Sequence, residues 1–317
     1  MTYLVTGGAG FIGSNFIDYM TDKYPNDTFV CIDALTYAGN MDNLKDSLKL
    51  RNFVFIKGNI CDRELISRLF IYYKFDYVIN FAAESHVDNS IISSGEFVKT
   101  NVLGTEVLLS ACLKYGIKRY HQVSTDEVYG DLPLDRPSLK FKEDSLIKPS
   151  NPYAATKASA DLLVLSYART FNLPVSISRC CNNYGIRQYP EKLIPVVIKK
   201  ALNDEQIPIY GNGKNMREWI SVNDHCKAID LIIHKGKDSN VYNVGSGVVL
   251  DNLTIVKDIL HYLNKDESLI SYVTDRKGHD LRYTLDYTKI RKELDYKNED
   301  TYKRTLKKTI NWYKNNS

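Results

Sequence analysis

Thr6-Gly7-Gly8-Ala9-Gly10-Phe11-Ile12-Gly13 decides the fold. Ahead of it, Tyr3–Thr6 has the apolar character of a strand. Behind it, Ile12, Phe16, Ile17 and Met20 recur on one side of a helix spanning 11–23. Glycine at 7 permits the tight turn, glycine at 10 lets backbone approach a pyrophosphate, and glycine at 13 lets helix and strand pack closely. The helix N-terminus offers unpaired N–H groups and a positive dipole end to the phosphates. Asp33, twenty residues beyond Gly13, closes a second strand. A carboxylate there accepts from both hydroxyls of an adenosine ribose and repels a 2′-phosphate, which favours NAD over NADP.

Outward from this cradle, apolar runs at 29–32, 53–57, 77–82, 119–124 and 175–179 alternate with helical patterns at 62–70, 105–114 and 154–171. Strands alternating with helices pair in parallel through right-handed crossovers, so the expected fold is a doubly wound α/β sheet of Rossmann type. After about residue 180 the pattern loosens into loops rich in Asn, Gly and Pro, with helices at 193–202 and 253–263 and strands at 219–222 and 242–244. Residues 1–180, with strand contributions from about 217–245, are expected to form the nucleotide-binding domain, and 181–317 a smaller substrate-binding lobe.

The bulk properties exclude several function classes. Hydrophobic residues make up 44% and charged residues 25%, with a net charge of +4, the balance of an ordinary globular protein. Basic residues gather only at Lys303, Arg304, Lys307 and Lys308, which suit a solvated helix face better than a nucleic-acid stripe. Six cysteines show no CxxC pair, so free thiols in a reducing compartment are expected. The histidines offer no metal-ligand spacing, and no apolar run is long enough to span a membrane; a cytoplasmic enzyme without metal is the expectation.

Tyr153 and Lys157 stand at i and i+4 on one helix face, downstream of Ser124-Thr125 at the end of the fifth strand. With 23 tyrosines in the chain the pair has weight only through that position, where ligands sit in open α/β sheets. A free tyrosine has a pKa of about 10. An ammonium one turn away and a nicotinamide cation favour its phenolate, making Tyr153 a base toward an alcohol with Thr125 as its partner. Asp126 and Glu127 follow directly, and a simple dehydrogenase needs neither. Paired carboxylates at that strand end point to further proton transfers, one group as acid and one as base.

The sequence resembles the dTDP-glucose 4,6-dehydratase family nearly end to end. The likeness is carried by TGGAGFIGS (6–14), DALTYAGN (33–40), FAAESHVDNSI (81–91), STDEVYG (124–130), NPYAATKA (151–158), NNYG (182–185), PEKLIP (190–195), PIYGNG (208–213), REW (217–219), YNVG (242–245) and DRKGHDLRY (275–283). The resemblance implies that Gly7, Gly10, Phe11, Ile12, Gly13, Asp33, Ala34, Leu35, Thr36, Asn59, Ile60, Phe81, Ala82, Ala83, Ser85, Thr100, Tyr153, Lys157 and Asn183 hold NAD. It implies that Asp126 protonates a leaving C6 hydroxyl and Glu127 removes the C5 proton. Ser85, Thr125, Asn182, Lys192, Leu193, Pro208, Tyr210, Arg217, Asn252, Arg276 and His279 are then expected to line the sugar-nucleotide site. The implied activity is 4,6-dehydration of dTDP- or UDP-glucose, a step in deoxysugar (for instance rhamnose) biosynthesis.

Three positions depart from the usual pattern. Asn59 replaces an aspartate near the adenine, with an amide oxygen that can still accept from it. Asn89 stands where bacterial members usually carry arginine and resembles UDP-glucose-using plant relatives, whereas Asn252 resembles the dTDP type, so both nucleobases stay open. Related 4-epimerases and decarboxylases keep the cradle and the Tyr/Lys pair but lack the paired acids, and non-catalytic NAD-binding regulators lose Tyr or Lys. A homodimer is expected. Val107, Leu108, Ala111 and Cys112 on one helix and Leu162, Leu163 and Leu165 on another exceed what one sheet face needs, and the family pairs these helices as a four-helix bundle.

Overall fold

The computed structural model describes residues 1–275 and 280–316. The chain runs β1 (Thr2–Thr6), α1 (Phe11–Lys23), β2 (Thr28–Asp33), β3 (Phe53–Lys57), α2 (Arg63–Tyr73) and β4 (Tyr77–Asn80). A short α3 (Val87–Ile92) and a wide π-helical stretch over Val98–Leu103 lead into α4 (Gly104–Tyr115), β5 (Arg119–Thr125), α5 (Pro152–Phe171) and β6 (Val175–Cys180). Then follow β7 (Asn182–Tyr184), α6 (Leu193–Leu202), β8 (Ile207–Tyr210), β9 (Met216–Ser221), α7 (Val222–Lys235), β10 (Asn240–Val244), β11 (Val249–Asp251), α8 (Asn252–Leu263), β12 (Ile270–Val273), α9 (Thr288–Leu294) and α10 (Tyr302–Asn316).

Seven strands form one sheet in the order β10-β6-β5-β4-β1-β2-β3, with every pairing parallel. Side chains alternate between its faces. Leu4, Val30, Ile32, Val78, Tyr120 and Ile177 pack beneath α2, α4 and α5. Tyr3, Val5, Phe29, Cys31, Ile79 and Val123 pack beneath α1 and α7. Burial on both faces explains why the sequence shows near-continuous apolar strands. The expected doubly wound α/β sheet is therefore present. Its order reverses at β1, between β2 and β4, which opens a crevice at the strands' C-terminal ends.

Several local outcomes differ from expectation. Of the two strands foreseen between 217 and 245, β10 joins the main sheet, but β9 lies in a separate three-stranded sheet, β11-β9-β7. The helix α7 had not been foreseen at all. Its signals were present: Ser221 caps the first turn by accepting from Asn223 N (3.2 Å), and Cys226, Ile229 and Ile233 fall on one buried face. The strand β4 stops at Asn80, short of the expected Ala82. The helix α2 starts after Asp62, whose carboxylate accepts from Leu65 N (2.9 Å). All six cysteines are free, and five are buried. Among the described residues no helix is long and apolar enough to cross a membrane.

A buried ion pair ties α5 to β6. Arg179 Nε donates to Asp161 Oδ2 (2.9 Å) and Nη1 to Tyr129 OH (3.0 Å), with the guanidinium 4.8 Å from the Tyr129 ring. Burial alone pulls the Arg179 pKa down; Asp161 and Tyr129 more than offset it, and the net shift is upward. Of the residues named for a subunit interface, Val107, Leu108, Ala111 and Cys112 are buried inside the subunit, against the sheet. The apolar surface left open on these two helices is Leu113, Leu162 and Phe171, with Leu163 and Leu165 partly covered.

Candidate active site

The crevice at the switch point is a cavity of about 340 Å³ lined by residues from both halves of the sheet. One end is the glycine cradle. Gly7 sits at φ +67°, and a Cβ there would stand 2.6 Å from Ala82 N; a Cβ on Gly13 would stand 2.5 Å from Gly7 O. Both glycines are therefore required by close approach of backbone, and the α1 N-terminus is left bare toward the cavity. Among the described residues, Gly10 contributes no side-chain cap. Asp33 Oδ2 accepts from Ala9 N (2.9 Å) and Oδ1 from Leu35 N (2.8 Å), which fixes the carboxylate and leaves each oxygen a lone pair for a ribose hydroxyl. Burial raises its pKa, and the two backbone donors pull it back. A dinucleotide fits this cradle.

Gly7, Gly10, Phe11, Ile12, Gly13, Asp33, Ala34, Thr36, Asn59, Ile60, Phe81, Ala82, Ala83, Ser85 and Thr100 all line the cavity, as do Thr125, Asp126, Glu127, Tyr153, Lys157, Asn182, Asn183 and Lys192. Leu35 lies outside this lining and packs on the apolar cluster beneath α1; only its backbone serves the site. Asn59 Oδ1 already accepts from Cys61 N (2.8 Å), which leaves one lone pair for an adenine amino group. Asn183 turns its side chain inward. Its Nδ2 donates to Cys181 O (3.0 Å), and its Oδ1 meets His225 Nδ1 (2.8 Å), a neutral imidazole whose pKa burial pushes down to about 3.

At the other end stand the proton-transfer groups. Thr125 ends β5 and caps the next turn, accepting from Glu127 N (3.2 Å), which aims Asp126 and Glu127 into the cavity. Thr125 Oγ1 donates to Asp126 Oδ1 (3.3 Å), while the buried Asp126 Oδ2 has no partner among the described residues. Burial, then Glu127 and Glu218, push the Asp126 pKa well above the carboxylate range. Burial also raises Glu127, but Lys192 and Arg217 pull it back. The environment thus separates the two acids.

Burial raises the Tyr153 pKa well above its usual value, and Glu127, Cys180 and Asp126 push the same way; only the Thr125 hydroxyl opposes. Lys157 Nζ donates to Val123 O (2.7 Å), and burial lowers its pKa. Burial, the largest of these effects, favours the neutral phenol. A cation beside the ring acts in the opposite sense.

Seven further substrate candidates are placed away from the cavity lining or outside the described residues. Leu193 begins α6 and packs in the lobe core, Pro208 and Tyr210 lie on β8, and Asn252 opens α8, donating its N–H to Asn215 O (3.2 Å). Arg276 and His279 lie outside the described residues. Arg217 stacks at 4.5 Å on the Tyr283 ring and donates to the carbonyls of Met216 (2.9 Å) and Asp280 (2.9 Å). It influences Asp126 and Glu127 by charge. Residues that sequence reasoning missed include Gln188, Tyr189 and Glu191 on the loop after β7, and Glu84. Glu191 falls within PEKLIP, so its position in a quoted motif was the available signal.

Comparison with known proteins agrees with this geometry. A family model described as GDP-mannose 4,6 dehydratase matches residues 4–309. The chain is 50% identical over 313 residues to the low-salt glycan biosynthesis protein Agl12 of Haloferax volcanii, covering 99% of this chain and 98% of that protein. It is 43% identical over 320 residues to a dTDP-glucose 4,6-dehydratase of Streptomyces niveus, covering 100% and 94%. The solved dTDP-glucose 4,6-dehydratase of Streptomyces venezuelae, with NAD and TYD bound, matches at a TM-score of 0.96 and 43% identity, covering 100% of this chain and 98% of that one. The chain belongs to the GDP-mannose 4,6 dehydratase family, and its relatives include several dTDP-glucose 4,6-dehydratases.

Proposed function

We propose that the protein is an NAD-dependent hydro-lyase that converts glucose linked to dTDP or UDP into the 4-keto-6-deoxy sugar nucleotide. The observation that carries this reading is the pair Asp126 and Glu127, set beside Thr125 in the same cavity as Tyr153 and Lys157, with environments that part their proton affinities. A 4-epimerase or decarboxylase has no use for two such acids. A regulator has no use for the Tyr/Lys pair.

The residues along the cradle from Asp33 to Tyr153 would hold NAD, which would supply a reversible hydride acceptor for C4 and C6 and a ring charge that favours the Tyr153 phenolate. Tyr153 takes the C4 hydroxyl proton. The C4 ketone acidifies C5–H, and Glu127 removes that proton. Asp126, kept protonated by burial, gives its proton to the C6 hydroxyl, which leaves as water. Glu127 hands its proton back to C5, and the proton on Tyr153 replaces the one Asp126 gave, through solvent.

Purified protein supplied with dTDP-glucose and UDP-glucose in one assay should yield the 4-keto-6-deoxy product from at least one of them. The names of its relatives favour dTDP. The ratio of kcat/KM sets the preference, and no product from either sinks the reading. The exposed Leu113, Leu162 and Phe171 on α4 and α5 support a two-fold homodimer, for which light scattering at micromolar concentration should give twice the chain mass.

A further inference from the structure

Gln188 sits on the loop between β7 and α6, 7% exposed and facing the cavity. Its Nε2 donates to Asn183 O (2.9 Å), while its Oε1 is buried with no partner among the described residues. Exchanging the two amide atoms would set Oε1 against the Asn183 carbonyl, acceptor against acceptor, so the orientation is fixed by that contact. The loop is held from both sides: Tyr313 OH of α10 donates to Gln188 O, and Asn15 Nδ2 of α1 donates to Ile186 O (3.2 Å). Asn183 donates in turn to Cys180 Sγ (3.4 Å), and Cys180 is the register partner of Thr125. The lone carbonyl therefore lies toward the proton-transfer end of the cavity and away from Asp33.

A buried carbonyl without a partner costs free energy, and native proteins keep few of them. One held in place inside a binding cavity calls for a donor carried by the ligand. The adenosine end of NAD belongs to Asp33, so the ligand donors at this end are the nicotinamide carboxamide N–H, the hydroxyls of its ribose and those of the bound sugar; Gln188 rests on Asn183, which the resemblance gives to NAD, and this favours the first two. We propose that Gln188 binds the nicotinamide half of NAD, with Oε1 accepting from one of these donors. The inference rests on NAD occupying this cavity and adds a residue to the cofactor set that neither motif nor spacing marked.

The test is NAD affinity of protein freed of cofactor, which is independent of whether any sugar is dehydrated. Absent product with intact NAD binding counts against the reaction and leaves Gln188 untouched. Gln188→Met keeps length and removes the acceptor; it should weaken NAD by about tenfold or more while ADP, which stops short of this end, binds within about twofold of wild type. NAD carrying an acetyl group in place of the carboxamide separates the two donors. If Gln188→Met binds that analogue as wild type does, the carboxamide is the donor; if it loses affinity for both, the ribose hydroxyl is. Unchanged NAD affinity in Gln188→Met, or an equal loss for ADP, overturns the assignment.

Discussion

Glu127→Gln should stop exchange of the C5 proton with D₂O while oxidation at C4 survives, and product formation should fall by at least about a hundredfold, the usual contribution of a positioned acid or base. Asp126→Asn should fall as far, but with C5 exchange still measurable and loss of water as the blocked step. The pH dependence has a definite sign. Burial raises the Asp126 pKa, so the working protonated form persists to higher pH than in a free carboxyl, and turnover declines as pH rises through the shifted value. The same shift bears on stability. A carboxyl whose pKa is higher folded than unfolded binds more protons in the native state, so stability drains away as pH rises above about 3.9, the unfolded value. Asp126→Asn should therefore melt higher than wild type at pH 7 in the absence of NAD, and the gap should close toward pH 3. A variant that is equally active, or that melts lower at pH 7, contradicts the placement of a buried acid at this position.

Asp161→Ala should cost about 3–5 kcal/mol, since it leaves the buried Arg179 guanidinium without its counter-charge. Against a total stability of about 5–15 kcal/mol, that moves a urea midpoint visibly or prevents folding at 37 °C. Asp161 stands one turn beyond Lys157 on α5, so the loss should also loosen the helix that carries Tyr153 and Lys157. Replacing both partners, Asp161→Leu with Arg179→Met, should restore much of the midpoint, because the penalty belongs to the unpaired charge and not to the missing attraction. Equal urea midpoints for wild type and Asp161→Ala would refute this account.

What the sequence made legible follows the physics of burial. Strands covered on both faces left apolar runs, and the glycine cradle is a local backbone demand, so β1 to β6 and α1 were readable, as was the approach of Tyr153, Lys157, Asp126 and Glu127. Short strands in small sheets leave no such trace. The β7 strand has three residues, and β9 finds its partners on both sides far along the chain, so neither period nor turn signal announced their pairing. The burial of Tyr153 was not legible for a related reason: Lys157 is a sequence neighbour, whereas desolvation is a sum over the whole fold. Gln188 escaped notice because its partners, Asn183 and Tyr313, act through backbone oxygens and a distant helix.

The position of β10 at the edge of the main sheet also governs how the chain can be assembled. It pairs with β6 in parallel, Asn240 beside Ser176 and Val244 beside Cys180, after the chain has left the sheet and built β7, α6, β8, β9 and α7. Closing that long loop carries an entropic cost before the edge contacts can form. During synthesis the segment from β1 to β6 emerges with its last strand uncovered on one side, and the ribosome must deliver residue 244 before that edge is sealed. An unpaired Val-Ile edge is prone to associate with a neighbouring nascent chain. Completion of the sheet is therefore expected late in synthesis, and truncations ending between β6 and β10 should accumulate as aggregates and not as a soluble nucleotide-binding half.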